Sequence, residues 1–171
     1  MASTVNCGFV LLLVTFVGVN SECPDGFIKH GASCYTIPHV KSDWSQATVV
    51  CKEMNSHLLE IEDAAEESFI RGFLSLHWRT YSPALFWVGG NDILEEGYWE
   101  WASGKTMTYT NWDDGEPSNG GSDDNNEHCL AMDQDAAWKW HDQECEETRY
   151  AICEIPITAV IGGGGNPGPI G

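Results

Sequence analysis

The chain has 171 residues, 8 Lys+Arg against 26 Asp+Glu, and a formal net charge of −18. Such an excess of acid argues against a nucleic-acid binder, because phosphate backbones are held by clustered Lys and Arg, and against anionic membrane surfaces. It does not imply disorder: 42% of residues are hydrophobic and there are 8 Trp, ample for the core of one domain.

Residues Phe9 to Val19 form an apolar run too short to span a bilayer, followed by the small and polar Asn20 and Ser21. This reads as a secretory signal peptide over 1–21, and nothing after it is long and apolar enough for membrane insertion. The expected setting is therefore secreted and extracellular. Cys7 leaves with the signal, and Cys23, Cys34, Cys51, Cys129, Cys145 and Cys153 remain, an even number that implies three disulfides. Six cysteines allow about 15 pairings, and spacing does not choose among them. There is no CxxC or HExxH to suggest a dedicated zinc site.

From Asp43 to Met54 the apolar residues Ala47, Val50, Cys51 and Met54 repeat at helical spacing, and Asp43 with Gln46 resembles a capping box. His57 to Ile61 reads as a short strand. A second helix is predicted from Ala64 to about Leu76, with Asp63 and Glu66 as its capping box and Ala65, Phe69, Phe73 and Leu76 turned inward. After Pro83, short aromatic runs (86–88, 98–101, 130–132, 137–140 and 150–153) alternate with turn residues and read as strands. Two helices followed by many short strands make an α+β fold. The stretch DDGEPSNGGSDDNN, from Asp113 to Asn126, cannot pack a core and reads as a long functional surface loop. The end, GGGGNPGPIG, is expected to be a flexible tail. The predicted domains are thus the signal at 1–21, one folded unit at 22–155 and a Gly/Pro-rich tail at 156–171.

Twelve of the acids lie between Asp113 and Glu147, with Lys139 the only Lys or Arg among them. A segment of this kind repels itself unless a cation sits in it. The bland reading is a solvated acidic face. The sharper one is a divalent cation held by oxygen ligands, which suits calcium.

An ordered series of motifs runs from Cys23 to Cys153. It comprises Cys23-Pro24, Cys34-Tyr35, Trp44-x-x-Ala47-x-x-x-Cys51, Leu58-x-x-Ile61, Trp87-Val88-Gly89-Gly90, Trp99-x-Trp101, Asn111-Trp112-x-x-x-Glu116-Pro117, Cys129, Trp140-x-Asp142-x-x-Cys145 and Ile152-Cys153-Glu154. In this order the chain resembles a long-form C-type lectin-like domain. The resemblance implies the pairs Cys23–Cys34, Cys51–Cys153 and Cys129–Cys145, a cis bond before Pro117, and a core role for Trp44, Trp87, Trp99 and Trp101.

The resemblance also implies a calcium site. Glu116 matches the acid of the family's Glu-Pro-Asn or Gln-Pro-Asp triplet, and Ser118 stands where Asn or Asp is usual. Glu127, two residues before Cys129, matches the later Glu. His141 stands at the Asn position of a Trp-Asn-Asp motif, and Asp142 matches its Asp. The primary Ca2+ set is then Glu116, Ser118, Glu127 and Asp142, with His141 offering no oxygen. The same residues, His141 included, form the expected carbohydrate contacts, in which two sugar hydroxyls replace water on the ion. Asp92 and Glu96 match auxiliary calcium acids, while Asn119 and His128 stand where other acids are usual. Asp123 and Asp124 read as solvated loop acids.

Glu at 116, and the lack of a Trp after the triplet, lean toward mannose-, glucose- or GlcNAc-type glycans over galactose-type ones. The expected function is a secreted calcium-dependent lectin recognising microbial or cell-surface glycans in innate immunity, a homo-oligomer if it agglutinates cells. The alternative is a sugar-blind member of the fold, serving as a mineral-matrix, ice-binding or protein-binding module. No nucleophile with an attendant base is evident, so no enzymatic activity is expected.

Overall fold

The computed structural model describes residues 22–81, 85–120 and 126–157. The predicted signal, the loop acids Asp123 and Asp124 and all but the first two residues of the predicted tail lie outside these residues.

Two α-helices, a short 3-10 helix (Trp78–Thr80) and nine strands are formed by the described residues. Helix α1 spans Trp44–Glu53, and Asp43 caps it by accepting the Gln46 amide at 2.8 Å. Ala47 and Cys51 are buried on its inner face, with Val50 and Met54 only partly covered. Helix α2 spans Ala64–His77, capped by Asp63, which accepts the amides of Ala65 and Glu66. The inward face of α2 differs from the expected one. Glu67, Ile70, Phe73 and Leu74 are buried, whereas Ala65 is exposed and Leu76 is 82% exposed. Of the expected inward positions, Phe73 is buried and Phe69 packs partly against the core, while Glu67, Ile70 and Leu74 complete the stripe in place of Ala65 and Leu76. The Glu66 side chain accepts the Glu62 amide and the Tyr35 hydroxyl rather than closing the expected box onto Asp63.

One sheet joins β1 (Ile28–His30), β2 (Ser33–Thr36), β9 (Cys153–Pro156) and β3 (His57–Leu58) in that order. It brings the two ends of the domain together, and Ile157 still donates to the Ala32 carbonyl at 2.7 Å. Only the first two residues of the predicted strand 57–61 join a ladder. Leu59, Glu60 and Ile61 are buried without strand pairing, Leu59 donating to the Ile152 carbonyl.

The second sheet has the order β5 (Glu100–Trp101), β4 (Leu85–Asn91), β6 (Glu127–Asp133), β7 (Lys139–Glu144), with β8 (Tyr150–Ala151) parallel to β4. The larger core lies between this sheet and α2 and includes Ile70, Leu74, Phe86, Val88, Leu130, Met132 and Trp140. A second cluster packs α1 through Trp44, Ala47 and Cys51 against Trp87, Ala131 and Ala151. Trp44, Trp87 and Trp101 are core residues, and Trp99 is half-buried edge-on to Trp112. Gly89 is required by close approach: a Cβ there would lie 3.1 and 3.2 Å from the carbonyl oxygens of Leu59 and Leu58.

The three disulfides are Cys23–Cys34, Cys51–Cys153 and Cys129–Cys145. The second joins α1 to β9 across 102 residues of sequence, and the third joins β6 to the turn after β7.

Candidate functional site

The site lies where the loop from Asn111 to Gly120 folds over β6 and β7. The root of the loop is tied to β7 by backbone bonds, Trp140 N–H to the Asn111 carbonyl at 3.0 Å and Asp113 N–H to the Trp140 carbonyl at 3.1 Å. From inside, the buried Glu67 carboxylate of α2 accepts from Asn111 Nδ2 at 2.9 Å and Trp140 Nε1 at 3.0 Å. Sequence reasoning passed over Glu67. Its signal was present in the spacing Glu67, Ile70, Phe73, Leu74, which places it on the buried stripe.

Antiparallel pairing of β6 with β7, Leu130 opposite Asp142 and Ala131 opposite His141, sets Glu127 and Asp142 near the loop, and a register shift between Glu127 and Cys129 turns the end of β6. The Glu116–Pro117 bond is cis. Ser118 then sits among the three acids. Its amide donates to Glu116 Oε2 and to Asp142 Oδ1, both at 2.9 Å, and its hydroxyl lies 3.4 Å from Glu127 Oε2. The Asn119 amide donates to Asp142 Oδ2 at 2.6 Å, and Asn119 Oδ1 accepts the Glu127 amide at 3.3 Å. Asp142 is 1% exposed.

This crowding has an electrostatic consequence. Burial, then the neighbouring Asp142 carboxyl, holds the Glu116 carboxyl above its ordinary value. Burial followed by the Asp142 charge does the same for Glu127. Three carboxylates and a hydroxyl, with Glu116 and Glu127 harder to ionise alone, are a donor set that fits a hard cation with oxygen preference. His141 borders the set, its Nδ1 3.4 Å from Glu116 Oε1 and its Nε2 3.5 Å from Asp113 Oδ2. Lys139 pairs with Asp113 at 3.1 Å and lies 3.9 Å from Asp114, so part of the acidic run is neutralised within the chain.

Asp92 and Glu96 meet at a separate place, in the turn after β4. Asp92 is 2% exposed, and its Oδ2 accepts the Gly97 amide at 2.8 Å. His128 of β6 joins them, with Nδ1 3.0 Å from Asp92 Oδ1 and 3.5 Å from Glu96 Oε2. Asn119 is engaged with Asp142 and Glu127 instead.

Residues 40–155 match the family model of the lectin C-type domain, and the chain belongs to that family. It is 36% identical to perlucin of Haliotis laevigata over 140 residues, 80% of this chain and 86% of that one. It is 29% identical to the galactose-specific lectin nattectin of Thalassophryne nattereri over 161 residues, covering 90% and 98%. Among solved structures it is similar to the C-type carbohydrate-recognition domain of cow CD23, determined in the presence of a GlcNAc2Man3 oligosaccharide. The TM-score is 0.67 and the identity 26%, over 80% of this chain and 97% of that one. The family is one of binding domains, not enzymes. No helix of the described residues is long and apolar enough to cross a membrane.

Proposed function

We propose that the chain is a secreted, calcium-dependent lectin whose primary calcium site is Glu116, Ser118, Glu127 and Asp142. The observation that carries this reading is the convergence of three carboxylates on Ser118, with Glu116 and Glu127 made harder to ionise by burial and by the neighbouring Asp142. An acid cluster of this kind is relieved by a divalent charge.

When bound, calcium supplies a positive centre for two neighbouring sugar hydroxyl oxygens. Glu116 and Glu127 would accept hydrogen bonds from those hydroxyls. The Ser118 hydroxyl and the His141 imidazole stand in for the donors that amide side chains give in other members. The lack of a stacking Trp beside the triplet, together with Glu at 116, favours mannose-, glucose- or GlcNAc-type ligands. Nattectin is described as galactose-specific, so sugar class has to be read from binding.

Recognition of microbial glycans in innate immunity is the physiological role this reading implies, and agglutination would require an oligomer. A second reading, a sugar-blind binding module, is favoured by His141, whose imidazole lies 3.4 Å from Glu116 where an oxygen ligand would serve calcium better.

A glycan array run with calcium and with a chelator separates the two. The lectin reading expects binding to mannose- or GlcNAc-terminated glycans that chelator removes, Glu127→Gln abolishes, and Glu53→Ala, on the exposed face of α1, leaves unchanged. Absent or chelator-insensitive binding would support the sugar-blind module.

A further inference from the structure

We infer that Asp92, Glu96 and His128 form a second metal site, selective for a divalent transition metal of the zinc class rather than for calcium. It stands apart from the glycan reading and survives that reading's failure.

The three side chains come from two elements held in fixed relation. The Asp92 amide donates to the His128 carbonyl at 3.1 Å, so the backbone itself sets the carboxylate beside the imidazole. The turn between Asp92 and Tyr98 is closed by Glu95 N–H to the Asp92 carbonyl, by Tyr98 N–H to the Glu95 carbonyl and by Gly97 N–H to Asp92 Oδ2. With Oδ2 occupied in this way, Asp92 presents Oδ1 to His128. A hydrogen bond that fixes a carboxylate from behind is the usual support of a metal ligand.

One oxygen from each acid and the imidazole nitrogen all lie within 4.8 Å of one another. Metal–ligand bonds of about 2.0–2.1 Å at tetrahedral angles separate donor atoms by about 3.3 Å. The two carboxylate oxygens lie 3.0 and 3.5 Å from His128 Nδ1, on either side of that value. Glu96 is 52% exposed and free to be solvated, yet its carboxylate is turned to the imidazole.

Donor chemistry decides which metal. Calcium takes six to eight oxygens and has little use for a nitrogen. Zinc is commonly held by three protein ligands drawn from His and carboxylates, with a fourth position left to solvent or an incoming ligand. Imidazole also suits copper and nickel; zinc is the redox-silent probe of the class. An auxiliary calcium site on Asp92 and Glu96 would need oxygen where His128 stands, so this one histidine sets the selectivity.

The test is zinc titration by calorimetry into the untagged full chain, with calcium in excess throughout so that oxygen-only sites are filled. The expected result is one zinc equivalent bound, with affinity reduced by about tenfold or more in both His128→Ala and Glu96→Gln. The exposure of Glu96 makes the second variant safe for folding, and unchanged melting in calcium confirms it for both. In His128→Asp, zinc affinity falls and one further calcium equivalent is gained. Failure to bind zinc, or binding that survives either substitution, overturns the assignment and leaves a His128–Asp92 ion pair.

Discussion

The carboxylate of Glu67 accepts the indole N–H of Trp140 at 3.0 Å, a buried bond between α2 and β7 two residues before Asp142. The other Glu67 oxygen accepts from Asn111 at the start of the site loop. One acid on a helix face thus holds both the strand and the loop that converge on the candidate calcium site. Gln at 67 keeps one acceptor and loses the other. Glu67→Gln is therefore expected to cost about 1–3 kcal/mol, read by urea unfolding with chelator present. It is also expected to weaken calcium binding without touching a ligand. Unchanged calcium affinity in the folded variant would separate Glu67 from the site.

Burial is the leading cause that raises the carboxyls of Glu67 and Glu154 above the ordinary 4.5. The native state therefore holds these protons more tightly than the unfolded chain. The stability they contribute is full below pH 4.5 and is lost as pH rises through their native values. In the apo protein Glu116 and Glu127 act in the same direction. Asp43 and Asp113, lowered chiefly by backbone N–H donors, contribute stability that is full above their ordinary 3.8 and is lost only as pH falls below it, so they add no difference between pH 5 and pH 7. With chelator present, unfolding free energy should be larger at pH 5 than at pH 7. Glu154→Gln should reduce the difference. A variant with the full wild-type difference would remove Glu154 from this account.

Gly89 and Gly90 follow Trp87 and Val88 on β4, and each lacks room for a methyl group for a different reason. A Cβ on Gly89 meets two backbone carbonyls, whereas one on Gly90 meets the Leu130 side chain, 2.8 Å from Cδ1 and 3.0 Å from Cβ. The carbonyls belong to a segment held by Leu59 N–H to Ile152 and by Gly89 N–H to Leu59, and cannot retreat. Both Ala variants are expected to destabilise by about 1–3 kcal/mol. The melting curves should show Gly89→Ala as the less stable, because Leu130 can shift part of its side chain. The reverse order would contradict this.

The parts of the fold that carry strong local chemistry were legible in the sequence. Asp43 and Asp63 cap the two helices as their side chains predict, and the aromatic runs after Pro83 fall on or beside strands. The ordered Cys and Trp motifs carried the disulfide pairs and the cis bond before Pro117, through resemblance rather than spacing. What local pattern could not supply is long-range. Leu76 is apolar yet exposed, and Glu67 is charged yet buried, because β7 and the loop root provide Glu67 with two donors that lie 44 and 73 residues away in sequence. The strand at 57–61 shrinks to two residues because only His57 and Leu58 find a partner in β9. The gathering of Ser118 with Asp142, and of His128 with Asp92 and Glu96, likewise depends on the register of β6 with β7 and β4.

The central claim is that Glu116, Ser118, Glu127 and Asp142 hold calcium. The most direct measurement is the melting temperature of the full chain in calcium and in chelator, beside Glu127→Gln. A ligand at 100 times its Kd stabilises the native state by about 2.7 kcal/mol, or about 5–10 °C in a chain of this size. The account predicts a rise of that order for the wild type and little or none for Glu127→Gln. An unchanged melting temperature in the wild type, or an equal rise in the variant, would contradict it and leave these carboxylates without a bound calcium ion.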